Sequence, residues 1–186
     1  HGVPSPKIWR DYIKSIEQKR KIINYKFRDK NSGWHGANIR VDYDDGTSEI
    51  NTLTVKSFTT LYFAHYITRP SCEKCVYTNF DRCSDITIGD FWGIEKAKPE
   101  FDDNKGVSLI LLNTLKGEMI FSEIKDSLDC FESNTEDCIQ EQLQEPPKTT
   151  RRRKAFWRNY SSHGFIYVAK KYGRCGFYGR VRYKMI

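Results

Sequence analysis

The sequence predicts an α+β fold: a mixed sheet with a three-stranded N-terminal meander, flanking helices and a basic helical C-terminal tail. Three observations carry this. Apolar residues recur at helical spacing near the front and again in the tail. Between them stand runs that alternate apolar and polar residues, the period of half-buried strands. Strands and helices then follow one another in mixed order, without the regular strand–helix alternation of a parallel sheet. With 186 residues and 21.9 kDa, the chain has room for one domain and a small appendage. The expected division is a main domain over 1–145 and a tail over 146–186.

Taken in order, Ser5 and Pro6 suit the cap and first position of a helix, on which Ile8, Trp9, Tyr12, Ile13 and Ile16 form one apolar stripe. The cations Lys19, Arg20 and Lys21 favour its end. Ile23, Tyr25 and Phe27 then alternate with Asn24, Lys26 and Arg28, and Ile39, Val41 and Tyr43 alternate again. Asp45-Gly46 is a hairpin signal, with a return strand expected over Glu49–Val55. Ser57 is placed as the cap of a helix to about Tyr66, ended by Arg69-Pro70. A short strand is expected at Asp85–Gly89, a polar loop at Glu95–Lys105 and a buried strand at Val107–Leu112. Thr114 is placed as the cap of the helix carrying Met119, Ile120, Phe121, Ile124 and Leu128. After Pro146-Pro147, one or two basic helices are expected over 151–162 and 164–172, ending at Gly173.

Composition excludes several classes. Aromatics at 14% are too many for a disordered chain, and charged residues at 30% too many for a membrane protein. The longest strongly apolar run, Val107–Leu112, falls far short of a bilayer span, so no membrane span is expected. No secretory signal is visible at the front. The first residue is His1, so the chain is expected to begin inside a longer gene product. The net charge of +7 is unevenly spread. From Pro146 onward there are twelve Lys or Arg and no Asp or Glu, whereas residues 1–145 carry 19 basic and 24 acidic side chains. A one-signed tail suits an anionic partner, whether phosphate groups or an acidic protein surface; the plain alternative is a solvated helix face.

Six cysteines are present, and three of them fall within twelve positions. Clustering of this kind points to metal ligation in a reducing, cytoplasmic compartment more than to disulfides. Cys72 and Cys75 form a C-x-x-C pair on a proline-stiffened turn, able to grip zinc or one corner of an iron–sulfur cluster. A redox dithiol fits less well, because a helix ends before the pair instead of starting after it. Cys83 is either a third ligand or a small core residue. His65 and His163 are ligand candidates by type alone. The pair leads into Ser84–Gly93, a strand ending in Gly89, Asp90, Phe91, Trp92 and Gly93. Glycines admit a bulky planar or phosphorylated ligand, and large aromatics can wall a flavin-sized ring; a tight turn with Phe91 and Trp92 in the core is the plain alternative. Lys105, Gly106 and Ser108 offer a cation, open N–H groups and a hydroxyl, which together suit phosphate, but they form no P-loop.

Together these segments are distinctive: His1–Pro6, Phe27–Lys30 with Gly33-Trp34, Arg69-Pro70-Ser71-Cys72 with Cys75, Ser84–Gly93 (SDITIGDFWG), and Lys105–Ser108. In this order they closely resemble the C-terminal domain of the coenzyme F420 hydrogenase/dehydrogenase beta-subunit family, in its bacterial form, over about residues 1–130. The resemblance implies a flavin and iron–sulfur oxidoreductase that passes electrons between a 4Fe–4S cluster, FAD and a hydride carrier such as F420. Cys72 and Cys75 match the family's cluster-binding pair. Gly89, Asp90, Phe91, Trp92, Gly93, Lys105, Gly106 and Ser108 match its flavin-facing loops. Similar proteins carry further cysteines just before the segment that begins at His1. Both cofactors are therefore expected to be incomplete or absent in this stretch alone, with an N-terminal ferredoxin-like half and a redox partner protein as partners. No catalytic acid or base is marked.

Two readings from other classes stand beside this one. The first is a zinc-dependent nucleic-acid-binding module, in which the cysteine pair staples the fold and the tail grips phosphates. Against it, Phe156, Trp157, Tyr160, Phe165 and Tyr167 sit at the spacing of a packed helix face, so nucleic acid is not the expected partner. The second is a non-catalytic partner domain in surface-polysaccharide synthesis, a setting that bacterial relatives resemble.

Overall fold

The computed structural model describes residues 2–36 and 38–175. The chain forms two compact units. The first gathers the stretch up to Ser32, the stretch Gly36–Lys74 and the segment from Pro147 onward; the second gathers Gly33–His35 and Cys75–Pro146.

In the first unit, α1 runs over Pro6–Glu17 and buries Ile8, Tyr12 and Ile16, the stripe read from the sequence. Ser5 stands at the cap position, but its side chain makes no capping bond; its carbonyl accepts from Trp9 N at 3.1 Å. The strands β1 (Ile22–Asp29), β2 (Asn38–Tyr43) and β3 (Ser48–Ile50) form an antiparallel meander. Ile39, Val41 and Tyr43 all point into the core. On β1 the alternation fails. Register shifts fall between Ile22 and Asn24 and between Lys26 and Asp29, so Ile23 and Phe27 stay exposed while Tyr25 is half-buried. Helix α2 covers Leu53–Phe63, and its cap is Thr52, which accepts from Val55 N at 3.3 Å. The expected cap, Ser57, is buried inside that helix and donates to Thr54 O at 2.7 Å. The return strand is correspondingly shorter than expected.

Helix α6, Arg153–Tyr172, packs against α1 and α2 and completes this core with Phe156, Tyr160, Phe165 and Val168. Burying each large apolar side chain contributes roughly 1.5–3 kcal/mol. Gly164, at φ 74° and ψ −176°, interrupts α6, so the tail is two helical stretches with Gly173 as C-cap, as the sequence indicated. The expected tail residues 176–186 lie outside the described residues. Arg153, expected in the solvated Arg151–Lys154 run, instead turns inward. Its guanidinium donates to the carbonyls of His65 and Tyr66 at 3.1 Å each and to that of Thr68 at 2.5 Å. Carbonyl oxygens of the segment after α2 thus gain a charged donor.

The second unit is built on β4 (Ile86–Asp90) and β5 (Ser108–Leu112), paired antiparallel from Ile86 opposite Leu112 to Asp90 opposite Ser108. Between them lie α3 (Ile94–Ala97) and a 3-10 turn at Pro99–Phe101. Helices α4 (Leu115–Ile124) and α5 (Thr135–Cys138) follow. Thr114 caps α4 as expected, accepting from Gly117 N at 3.2 Å. A small core gathers Phe91, Ile94, Leu109, Cys138 and Leu143. The α+β class is as predicted, but the strands form two antiparallel sheets instead of one mixed sheet. A parallel pair needs a crossover of a dozen or more residues, and the connections β1–β2 and β2–β3 are shorter than that. β5 is also less buried than expected: only Leu109 is fully enclosed. On α4, Gly117 alone is buried, and Leu115, Met119, Ile120 and Ile124 are exposed.

Candidate functional site

The thiol turn is a 3-10 turn over Pro70–Lys74 that carries Cys72, with Cys75 directly after it. The N-terminal backbone is laid against this turn. Val3 N–H donates to Cys72 Sγ at 3.2 Å, Arg69 N–H donates to Val3 O at 2.8 Å, and the Tyr62 hydroxyl donates to Gly2 O at 2.8 Å. Gly2 takes φ +98°, and a Cβ there would stand 3.1 Å from Cys72 Sγ. Close approach of the backbone to the sulfur therefore uses the glycine of the His-Gly-Val-Pro segment. Burial first, and then the Cys72 thiol, push the Tyr62 hydroxyl pKa up.

None of the six cysteines is in a disulfide. Among the described residues, no group of three or more His, Cys, Asp or Glu is placed to hold a metal ion. Cys83 and Cys130 are exposed, and Cys138 sits in the small core, where burial raises its pKa. His163 stacks on Tyr167 at 4.4 Å, and His65 Nδ1 is buried without a hydrogen bond. The donor chemistry at Cys72 and Cys75 fits a soft metal or one side of a cluster. A backbone N–H aimed at sulfur stabilises a thiolate as an acceptor. Two thiols supply half of a four-thiolate set.

The second unit holds the glycine and aromatic segments. The segment Gly33–His35 is seated on the loop before β5: Trp34 N–H donates to Asn104 O at 2.7 Å, and His35 N–H to Asn104 Oδ1 at 3.0 Å. His35 Nε2 lies 2.7 Å from Asp102 Oδ2. Trp34 is buried and stacks on Trp92, which is 44% exposed, with ring centroids 4.6 Å apart. Gly106, at φ +98°, passes so close to Trp34 that a Cβ there would stand 2.3 Å from its Cδ1. Gln140 fixes the turn after β4, donating from Nε2 to Asp90 O at 3.1 Å and accepting at Oε1 from Trp92 N–H at 3.2 Å.

The predicted residues are placed as follows. Asp90 and Ser108 are register partners at the end of the ladder. Gly89 and Gly93 both face open space, and Gly93, at φ +101°, caps α3. Phe91 is in the core, whereas Trp92 is on the surface. Lys105 is exposed and pairs with Asp103 at 2.9 Å, which raises the lysine pKa and lowers that of the carboxyl. Thus Trp92 and Gly106 meet around Trp34, and Asp90 meets Ser108. Trp34, His35, Asp102 and Asn104 were not among the predicted site residues. The only signal for them was Gly33-Trp34 among the segments that carried the resemblance, since contacts across this sequence distance leave no periodicity.

Residues 1–137 match the family model that describes the C terminus of the coenzyme F420 hydrogenase/dehydrogenase beta subunit. The chain belongs to this family. No curated protein matches it, and no solved structure does. The thiol turn, the Gly89–Gly93 and Lys105–Ser108 segments and Trp34 lie within the part of the chain that matches this C-terminal domain, whereas Gln140 lies just beyond it. No helix among the described residues is long and apolar enough to cross a membrane.

Proposed function

We propose that this C-terminal domain of the beta-subunit family serves a flavin- and iron–sulfur-dependent oxidoreductase that passes electrons between a 4Fe–4S cluster, FAD and a hydride carrier such as coenzyme F420. The observation that carries the reading is the Val3 N–H donated to Cys72 Sγ at 3.2 Å within the C-x-x-C turn of a member of this family. Cys72 and Cys75 bind the cluster as thiolates. Their remaining co-ligands are further cysteines of the same protein, which in similar proteins precede the His-Gly-Val-Pro segment. Gly89–Gly93 and Lys105–Ser108 face the flavin. The open space at Gly89 and Gly93 lets backbone approach its ring system, Trp92 offers an aromatic wall, and Lys105 Nζ exchanges Asp103 for a phosphate oxygen. A bound cluster would supply single electrons and a bound flavin would pair two of them with a proton as a hydride, while the protein holds and orients both.

The test is the ultraviolet–visible spectrum of the full-length protein after anaerobic reconstitution with iron, sulfide and FAD. Flavin and iron–sulfur bands are expected. Cys72→Ser or Cys75→Ser is expected to abolish the iron–sulfur band, while Cys83→Ser leaves it unchanged. Bound zinc without either band would overturn the reading.

A further inference from the structure

Beside the thiol turn, the first unit carries an open groove in two joined lobes, of about 640 and 430 Å³, that share Arg153 and Trp157. Glu73, Arg151 and Lys154 border the first lobe, and Arg69 and Pro70 border the second. We propose that this groove docks a small electron-carrier protein through an acidic surface around its redox centre. The inference rests on the electron-transfer reading above and names its partner.

Charge is the first argument. Arg69, Arg151 and Lys154 are exposed, and none of their side chains has an ion-pair or hydrogen-bonding partner among the described residues. The groove's one carboxylate, Glu73, is already engaged: Thr149 Oγ1 donates to it at 3.1 Å, and Arg153 Nε lies 4.0 Å away. Chain residues from Pro146 onward add no acidic side chain at all. A face of this kind steers an anionic partner and sets its orientation, at a strength that falls with salt. Pro70 and the Trp157 edge give the groove a small apolar centre inside the cationic rim, the usual build of a protein–protein contact.

Position is the second argument. Pro70 and Glu73 belong to the turn that carries Cys72. Electron transfer weakens steeply with distance, so a carrier seated here meets the cluster edge without the protein's width between them. The surroundings of Trp157 favour protein over nucleic acid. Single-strand binding surfaces offer a bare aromatic face on which bases stack. Here Trp157 packs edge-on against Phe156 and Tyr160, at 5.6 Å each, and the Arg153 guanidinium lies 5.9 Å from its ring centroid.

The experiment titrates the full-length protein with a purified acidic plant-type ferredoxin at low salt and reads affinity by calorimetry. Binding that weakens with added salt is expected. Arg151→Glu with Lys154→Glu should weaken it at least ~10-fold, whereas the same charge change at Lys170 and Lys171, at the other end of α6, should leave it within about twofold. Cys72→Ser with Cys75→Ser should bind as the parent does, so loss of the cluster and loss of docking are read separately. No binding, equal weakening by both charge reversals, loss of binding in the cysteine variant, or a short DNA duplex that competes as well as the ferredoxin would each overturn the proposal.

Discussion

Trp34 and Trp92 stack with ring centroids 4.6 Å apart and planes 30° apart. Trp34 is 3% exposed and Trp92 44% exposed, so one ring is the floor and the other the cover. Trp92→Ala removes an aromatic pair worth about 1 kcal/mol beyond its area and uncovers the floor. Urea unfolding should show a loss of roughly 1–2 kcal/mol, and FAD affinity should fall with it. Unchanged FAD affinity would detach Trp92 from the proposed flavin site.

Gly106 should tolerate no side chain. Its φ of +98° disfavours any L residue, and a Cβ would stand 2.3 Å from Trp34 Cδ1. Gly106→Ala is expected to cost about 1–3 kcal/mol. Displacement of the Trp34 ring should also move the intrinsic fluorescence to longer wavelength. By contrast, Gly46→Ala meets no atom within 4 Å and carries only the strain of its φ of +80°.

Among the described cations of the tail, Arg153 should matter most. Arg153→Met leaves the carbonyls of His65, Tyr66 and Thr68 without their donor, at a cost of about 3 kcal/mol. Arg153→Lys keeps the charge but cannot fork to three oxygens, and should recover less than half of the loss. Arg151→Met and Lys154→Met, both exposed, should shift the thermal midpoint little.

Acid should weaken the first unit through Asp42. Hydrogen bonds from Ser48, then Arg40 and Asn24, hold its pKa at about 2, below the ordinary 3.8. The folded state therefore binds this proton less readily than the unfolded chain. The contribution is fully present above the ordinary pKa and is lost as the pH falls through about 2. Asp42→Asn should flatten the dependence of stability on pH in that window, measured by urea midpoints across a pH series. An unaltered slope would assign the acid sensitivity to other carboxyls.

How far the fold was legible depended on the range of the interaction involved. The stripe Ile8, Tyr12 and Ile16 and the alternation Ile39, Val41 and Tyr43 are local patterns, and both faces are buried as read. Gly173 acted as local punctuation where it was expected, and the kink at Gly164 falls beside the expected break between 162 and 164. Thr52 against Ser57 was a competition between two good caps, and the apolar Leu53 and Val55 after Thr52 read equally well as strand. The β1 bulges could not be seen, because they are set by pairing with β2 and not by β1 itself. Arg153 was read as solvated because no acidic residue lay near it in sequence; its partners are carbonyls, which every sequence contains. At the second unit's site, Gly89–Gly93 and Lys105–Ser108 were conspicuous, whereas Trp34 showed only in the resemblance, because its role is contact with residues about 60 and 70 positions away.

The first unit's interrupted layout has a consequence for the chain as it leaves the ribosome. Its strands and α2 have been made once Lys74 is added, yet Phe156, Tyr160, Phe165 and Val168 of the same core are made only as α6 is added. At roughly 5–20 residues per second, that gap leaves α1 and the meander waiting for about 5–20 s with an open apolar face. The continuous stretch Cys75–Pro146 emerges during this interval and has nearly all of its own core residues in hand. Vectorial synthesis thus favours the second unit as the earlier to settle. The nascent first unit, uncovered until α6 arrives, is the natural client for a chaperone.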